Sequence, residues 1–364
     1  MIISEMVLAW QANLKKKPSF LATSGRVNQD HLYHVEVEGF PIETANRLIN
    51  KCKAVGTLRN YKSITNKLRE WASERNINID PLSLRDTVEF ICKLADDKVP
   101  LSELAKVSPG LTLLHQSQGY STNPAVQEPY AKLVLTGAKR EAAERKNKAE
   151  KATCLSKEEI LKIVSGILFE EKKEDHEINK VKARSAFRMW LMYRSWCRFD
   201  CYQRLTTNDI HMDNESVTIY FSKAKNDQYY AGSTCTLKIL GKEHKFCPKA
   251  VIDKYFKIMG FSRTGVEYLN CKIGIRKKKQ VARAKESVSY TTALDDDKEL
   301  AIAFGIDGKI SEKSFKVSGV SEAFNRGISL EDAMWHGRWV GLGTPAIYCH
   351  LNKKKRMDIS LYNA

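Results

Sequence analysis

No stretch of about 18 consecutive apolar residues occurs in this chain of 364 residues, so no helix that could span a bilayer is expected. The opening segment, Met1-Ile-Ile-Ser-Glu-Met-Val-Leu8, has no basic residues ahead of its apolar positions and no clear cleavage site, which argues against a secretory signal. Cysteine is present without pattern: nine residues, an odd number, with no repeated spacing. Cys197 and Cys201 stand four apart, yet no second Cys or His pair lies near them in sequence, so neither a disulfide framework nor a zinc site is expected. Reduced thiols in an intracellular protein are the simpler reading. A glycine-rich phosphate loop of the Walker type is missing, and so is any internal repeat. Negative charge is in short supply: 43 Asp and Glu stand against 60 Lys and Arg, a net +17. That excess points to a polyanionic partner, nucleic acid ahead of membrane.

What is present suffices for a large core, at 43% apolar residues, and the length fits two domains. Residues 1–50 carry Lys15-Lys-Lys17 and Gly25-Arg26 and read as a basic arm. Thr57 is placed to cap a helix in which Leu58, Tyr61, Ile64, Leu68 and Trp71 form one apolar stripe. Further helices follow on Leu84, Val88, Ile91 and Leu94, from Leu101, on Leu111, Leu114 and His115, and from Tyr130 to Lys139, with a loop from Pro124 to Pro129. The stretch Lys139 to Lys151 holds six basic and three acidic residues and almost nothing bulky and apolar, and marks the domain boundary. Ser156-Lys-Glu-Glu159 is a capping box. A long apolar helix is expected over Ala186–Trp196. In the stretch Asp209–Lys225 the period then changes to two: Val217, Ile219 and Phe221 alternate with Thr218, Tyr220 and Ser222. That strand turns at Ala224–Gln228 and returns over Ser233–Leu240, after which helices resume at Pro248. Arg276 to Lys285 carries six positive charges and no negative ones, and reads as a flexible loop, a DNA-backbone contact, or both.

Near the end, nine residues separate Trp339 from Tyr348, after a helix end broken by Gly337. A tyrosine beside a ring N–H donor and basic residues has the parts to attack a phosphodiester. Such chemistry needs cations on the non-bridging oxygens, guanidinium forks best of all, and a proton donor for the leaving oxygen.

The order and spacing of the basic residues around this segment resemble the tyrosine recombinase (phage-integrase-like) family over roughly residues 55–350. Arg198, in Arg-Phe-Asp with Leu205 and Asp209-Ile210 following, matches the family's first arginine. Lys225, in Ser-Lys-Ala-Lys-Asn-Asp-Gln, matches its hairpin lysine, with Lys223 as the fallback. Lys313, in Lys-Ser-Phe-Lys ahead of Gly327-Ile328, falls at the position of the family's His or Lys, and Lys316 at its second arginine. Trp339, in Gly-Arg-Trp, matches the Trp form of the fifth position, and Tyr348 the nucleophile. Tyr362 is a competing tyrosine without the Gly-x-Trp approach, and His336 reads as a helix-end residue that satisfies carbonyls. Gly-Arg-Trp resembles the form in eukaryotic mobile elements such as cryptons and tyrosine-recombinase retrotransposons, which implies a nuclear protein. Lys353-Lys-Lys-Arg356 fits an import signal or a terminal DNA patch equally well.

The resemblance implies a mainly α protein of two domains. Residues 51–140 would be a helical, SAM-like core-binding domain that clamps DNA. A linker at 141–153 would lead to a catalytic α+β domain with a small antiparallel sheet at 154–364, after an arm at 1–50. It implies a double-stranded DNA partner, a tetramer assembled on DNA, no membrane association, and neither metal nor ATP. Tyr348 would form a 3′-phosphotyrosyl bond, Arg198 and Lys316 would hold the scissile phosphate with Lys313 and Trp339 in support, and Lys225 would protonate the leaving 5′-oxygen. Arg59, Lys62, Lys139, Arg140, Lys223, Arg276, Lys277 and Arg338 would contact DNA. Lysine at 316 is the departure, since it keeps the charge and loses the planar fork. It leaves open a DNA-binding derivative with impaired cleavage, or a site in which Arg338 or Arg326 supplies the fork. A type IB topoisomerase shares the chemistry, but the separate core-binding-like region and the short tail argue against it. The position of the usual acidic partner of the first arginine is Cys201, next to Asp200.

Overall fold

The computed structural model describes residue 44 and residues 55–118, 128–145, 152–169, 179–223, 231–241 and 244–348. Lys225 and its turn, nearly all of the expected arm, residues 146–151 of the linker, Tyr362 and the 353–356 basic cluster lie outside the described residues. The chain divides into two compact units, Met1–Ala149 and Glu150–Ala364.

The first unit is helical: α1 (Val55–Glu74), α2 (Leu84–Asp96), α3 (Leu101–Leu104), α4 (Val107–Ser117) and α5 (Pro129–Glu144). The α1 stripe packs as its period dictates, with Ile64, Leu68 and Trp71 buried against Phe90, Ile91, Leu111 and Leu135. Thr57 is not the cap, because α1 already includes Val55 and carries Thr57 within its first turns. Ser83 does cap α2, accepting from the Asp86 N–H. His115 is fully buried and saturated: the Leu82 N–H donates to Nε2 at 3.1 Å, and Nδ1 meets the Leu111 carbonyl at 3.0 Å. Helix α5 runs to Glu144, through the start of the stretch expected as linker. Ala138 and Ala142 are buried on one of its faces, so good helix formers plus two small contacts carry the helix on without bulky residues.

The second unit is built around α7 (Lys180–Ser195), of which all but the first turn and Arg194 is buried. It follows α6 (Lys157–Val164), which the Ser156–Glu159 capping box starts as expected. Helix α7 begins six residues before the expected Ala186, because Lys180, Lys182 and Arg184 break the apolar pattern there, yet Arg184 is itself buried. Arg188 donates to the Asp297 carboxylate, to Asn270 Oδ1 at 2.7 Å and to the Ala293 carbonyl at 2.8 Å. Next come the short α8 (Phe199–Tyr202) and an antiparallel sheet in the order β1 (Ile210–Met212), β2 (Ser216–Phe221), β3 (Ser233–Lys238). The alternation sets its faces: Val217, Ile219, Phe221, Cys235 and Leu237 are buried.

Helix α9 (Pro248–Met259) leads to a second antiparallel pair, β4 (Cys271–Arg276) and β5 (Lys279–Ser287). The basic run at 276–285 is therefore a β-hairpin and not a flexible loop. Its small inward residues are the reason: Gln280, Ala282 and Ala284 are half-buried while Lys279, Val281, Arg283 and Lys285 face out. Helices α10 (Tyr290–Ala303), α11 (Ser314–Asn325), α12 (Leu330–Gly337) and α13 (Gly343–Tyr348) complete the unit. Among the described residues no helix is long and apolar enough to cross a membrane.

Candidate active site

Two chain reversals and two glycines assemble the site. Helix α7 stops because Trp196 turns left-handed (φ 50°), which sends the chain into Arg198 at the N-cap of α8. Helix α11 crosses this corner at Gly319, where a Cβ would lie 2.0 Å from the Tyr193 carbonyl oxygen and 2.8 Å from Trp196 Nε1. One turn earlier on α11, Lys316 is thereby carried into the corner and is 4% exposed. Helix α12 ends at Gly337, where the sequence placed its end, and Arg338 just after it is left-handed (φ 55°). Gly337 is needed for proximity, since a Cβ there would stand 2.5 Å from the Trp339 ring.

Trp339 and Tyr348 stack with centroids 5.6 Å apart and planes 7° from parallel, and Trp196 stacks on the other side of Trp339 at 6.0 Å. The Lys316 ammonium lies 4.7 Å from the Trp339 centroid and 5.0 Å from that of Tyr348. Ser321 Oγ donates to the Tyr348 carbonyl at 3.0 Å, tying α13 to α11. The ring N–H of Trp339 is buried and has no acceptor among the described residues. His336 is edge-on to Trp196, and its Nε2 meets the Arg194 carbonyl at 2.8 Å, the carbonyl-satisfying role expected of it.

The electrostatics are one-sided. Burial pushes the Lys316 amine down to about 7, and the neighbouring Arg198 and Arg338 push the same way; the thiols of Cys197 and Cys201 oppose them. Burial in turn holds the Cys197 thiol neutral, pushed up to about 12. The half-buried Arg198 guanidinium makes no hydrogen bond or ion pair with a described residue, and Asp200 beside it points out to solvent. A corner with two guanidiniums, a lysine whose charge burial disfavours, an unsatisfied ring N–H and no carboxylate among the main influences on that lysine has the chemistry to take an anion.

Of the expected residues, Arg198, Lys316, Trp339 and Tyr348 are brought together. Lys313 is exposed at the N-cap of α11, outside the ring stack. Lys223 is half-buried just past β2, and Lys225 falls outside the described residues. Neither candidate for the missing fork is free to serve. Arg326 is exposed and paired with Glu322. Arg338 donates to the His336 and Ser195 carbonyls at 3.1 and 3.0 Å and lies 4.4 Å from the Phe221 centroid. Its charge reaches the corner while its donors hold backbone and sheet in place. Trp196 and Ser321 were not singled out in the sequence. Their partners lie 143 and 27 residues away, and no local period reports such pairs.

No protein-family model and no curated protein sequence matches the chain. Solved structures do match. The XerH site-specific recombinase bound to palindromic difH substrate, in a post-cleavage complex, shares 15% identity over 87% of this chain and 82% of its own, with a TM-score of 0.58. The Tn1549 transposon integrase in complex with circular-intermediate DNA shares 11% over 86% and 97%, with a TM-score of 0.50. This is the tyrosine-recombinase fold. The similarity is one of fold, and it covers both the helical first unit and the mainly helical second unit with its small antiparallel sheets.

The recombinase-fold chain also carries the β4–β5 hairpin as a basic projection. Both its ends are held to α7: Arg184 donates to the Cys271 carbonyl at the base at 2.6 Å, and the Lys180 N–H to Gln280 Oε1, next to the tip, at 2.7 Å. At the tip, Arg276 pairs with Lys279 across a two-residue turn in which Lys277 (φ 48°) and Lys278 (φ 63°) are both left-handed. Such turns favour Asn-Gly, and each non-glycine residue there costs about 1 kcal/mol or more. None of Arg276, Lys277, Lys278 or Lys279 pairs with a carboxylate of a described residue. Backbone strain and charge without a carboxylate partner among the described residues thus coincide at this tip. Replacing the turn by Lys277→Asn with Lys278→Gly is expected to stabilise the protein by about 1 kcal/mol. Urea melts check this.

Proposed function

We propose that the chain is a DNA strand transferase that cuts and rejoins duplex DNA through a 3′-phosphotyrosyl bond at Tyr348. The observation that carries this reading is the uncompensated corner where Arg198 and Lys316 meet the Trp339–Tyr348 stack. There the scissile phosphate supplies the missing negative charge. Arg198 offers a guanidinium fork and the Trp339 ring N–H a donor for a phosphate oxygen. Arg338 holds the corner in shape. Lys225, or Lys223, donates the proton to the leaving 5′-oxygen, and Lys313 adds charge at the mouth. The covalent intermediate keeps the bond energy, so rejoining needs no ATP. Arg59 and Lys62 on α1, Lys139 and Arg140 on α5, and the hairpin with Arg276 and Lys277 contact phosphates along the duplex. Assembly as a tetramer on two sites, a mobile-element origin and action in the nucleus belong to the same proposal, and rest on the Gly-Arg-Trp segment and the neighbours' fold.

The test is a library of nicked duplexes with randomised sequence around the nick, incubated with the full chain. A denaturant-resistant protein–DNA adduct whose modified peptide contains Tyr348 is the expected result. DNA binding with no adduct from any duplex would make the chain a binding derivative, the reading favoured by lysine in place of the second arginine. Relaxation of supercoiled plasmid without site preference would point to a topoisomerase instead.

A further inference from the structure

The lysine at 316 does something that arginine cannot. An arginine there would be a permanent cation, whereas a lysine also exists as a neutral amine, a proton acceptor. The structure places this amine over the two stacked rings, 5.0 Å from the Tyr348 centroid, 4% exposed and without a hydrogen bond to any described residue. We propose that Lys316 is the base of the reaction, taking the phenolic proton of Tyr348 as the tyrosine oxygen attacks phosphorus. This role rests on the strand-transfer reading above.

The surroundings leave little else to do it. Among the described residues, the imidazole at the corner is His336, which has its Nε2 on the Arg194 carbonyl, and burial lowers its proton affinity. The other groups that face Lys316 are Arg198 and Arg338, both cations, and the thiols of Cys197 and Cys201. The two guanidiniums and burial keep the amine near neutrality, and the flexible four-carbon stem lets Nζ move along the ring edge to the hydroxyl. The step balances. The Tyr348 O–H bond breaks and its proton goes to Lys316 Nζ. The Tyr348 O–P bond forms, the P–O5′ bond breaks, and the 5′-oxygen takes a proton from the hairpin lysine. The new Lys316 ammonium then stands beside the phosphate as the cation that position needs. Rejoining returns its proton to the tyrosine. One residue thus serves as base first and cation second, which accounts for a lysine where a fork is otherwise the better phosphate ligand.

The experiment is single-turnover adduct formation on a cleavable nicked duplex, from about pH 6 to about pH 9, for the natural chain and for Lys316→Arg. The natural chain is expected to speed up with pH, about tenfold per unit on the acid side of a midpoint at or above 7, because the bound phosphate anion raises the amine. Lys316→Arg keeps the charge and removes the acceptor. It is expected to bind DNA and melt as before, to cleave about 10²- to 10⁴-fold more slowly, and to lose this limb of the profile. A Lys316→Arg chain that cleaves as fast or faster, or a natural chain whose rate ignores pH, would overturn the role and leave Lys316 a cation only. A natural chain that binds DNA and forms no adduct at any pH defeats the strand-transfer reading itself, and the role with it. Amine-labelling rates of Lys316 in the free chain, read by peptide mass, provide an independent check. Titration near 7 supports the proposal, and titration at the ordinary lysine value of 10.5 refutes it even if Lys316→Arg misfolds.

Discussion

Tyr348→Phe is expected to leave affinity for duplex DNA unchanged and to reduce adduct formation on nicked duplexes by on the order of 10⁴-fold or more, because the loss is that of the nucleophile itself. Phenylalanine keeps the ring, so the stack on Trp339 and the contact with the Lys316 ammonium survive, as does the bond from Ser321 to the backbone carbonyl. Only the hydroxyl goes. An alanine at 348 would confound the result by opening the stack. Tyr362→Phe serves as the control and is expected to cleave normally. Gel separation of covalent adducts under denaturing conditions, beside equilibrium binding, reads both arms. Persistent adduct in Tyr348→Phe would move the nucleophile elsewhere and sink the site assignment.

The second large effect is structural. Arg188→Ala is expected to cost about 3–5 kcal/mol, because it strands a buried carboxylate. Arg188 is fully buried and holds both oxygens of Asp297, together with Asn270, Ser185 and the Ala293 carbonyl. These bonds fasten α7 to α10 and to the base of the basic hairpin, on the helix whose far end positions Arg198. Removing the guanidinium unpairs all of them at once. Burial raises the Asp297 carboxyl and Arg188 opposes that rise. Without Arg188 the carboxyl rises further and accepts a proton in the folded state before it does in the unfolded chain. A raised carboxyl contributes stability below its folded value and loses it as pH increases, so the deficit of Arg188→Ala is expected to shrink toward acid pH. Urea melts across that range measure this. The pair Arg188→Met with Asp297→Leu is expected to recover most of the loss, since replacing both ions removes the stranded charge. Failure of the double variant to recover would mean that the hydrogen bonds to Asn270 and Ala293, and not the buried charge, dominate.

Much of the architecture was legible without coordinates because it is local. The Ser156–Glu159 cap, the Ile64–Leu68–Trp71 stripe and the Val217–Ile219–Phe221 alternation each report on residues at most a few positions apart. The boundaries that failed did so where a charged residue was paired far away, or where small residues packed. Arg184 concealed the start of α7, since its partner Asp296 is 112 residues distant. Ala282 and Ala284 concealed a strand inside a basic run.

By itself, the sequence determined the order of the elements and singled out the residues, from Arg198 to Tyr348, on which the strand-transfer proposal rests. Tertiary structure alone decided what those residues are. It made Lys316 a buried amine against two stacked rings, committed Arg338 to backbone carbonyls, left the Trp339 ring N–H without an acceptor among the described residues, and stood Lys277 and Lys278 at a strained tip. The physical reason is that periodicity and capping are set by neighbours in the chain. The charge state of a lysine and the freedom of a guanidinium depend on burial and on partners that only folding brings together.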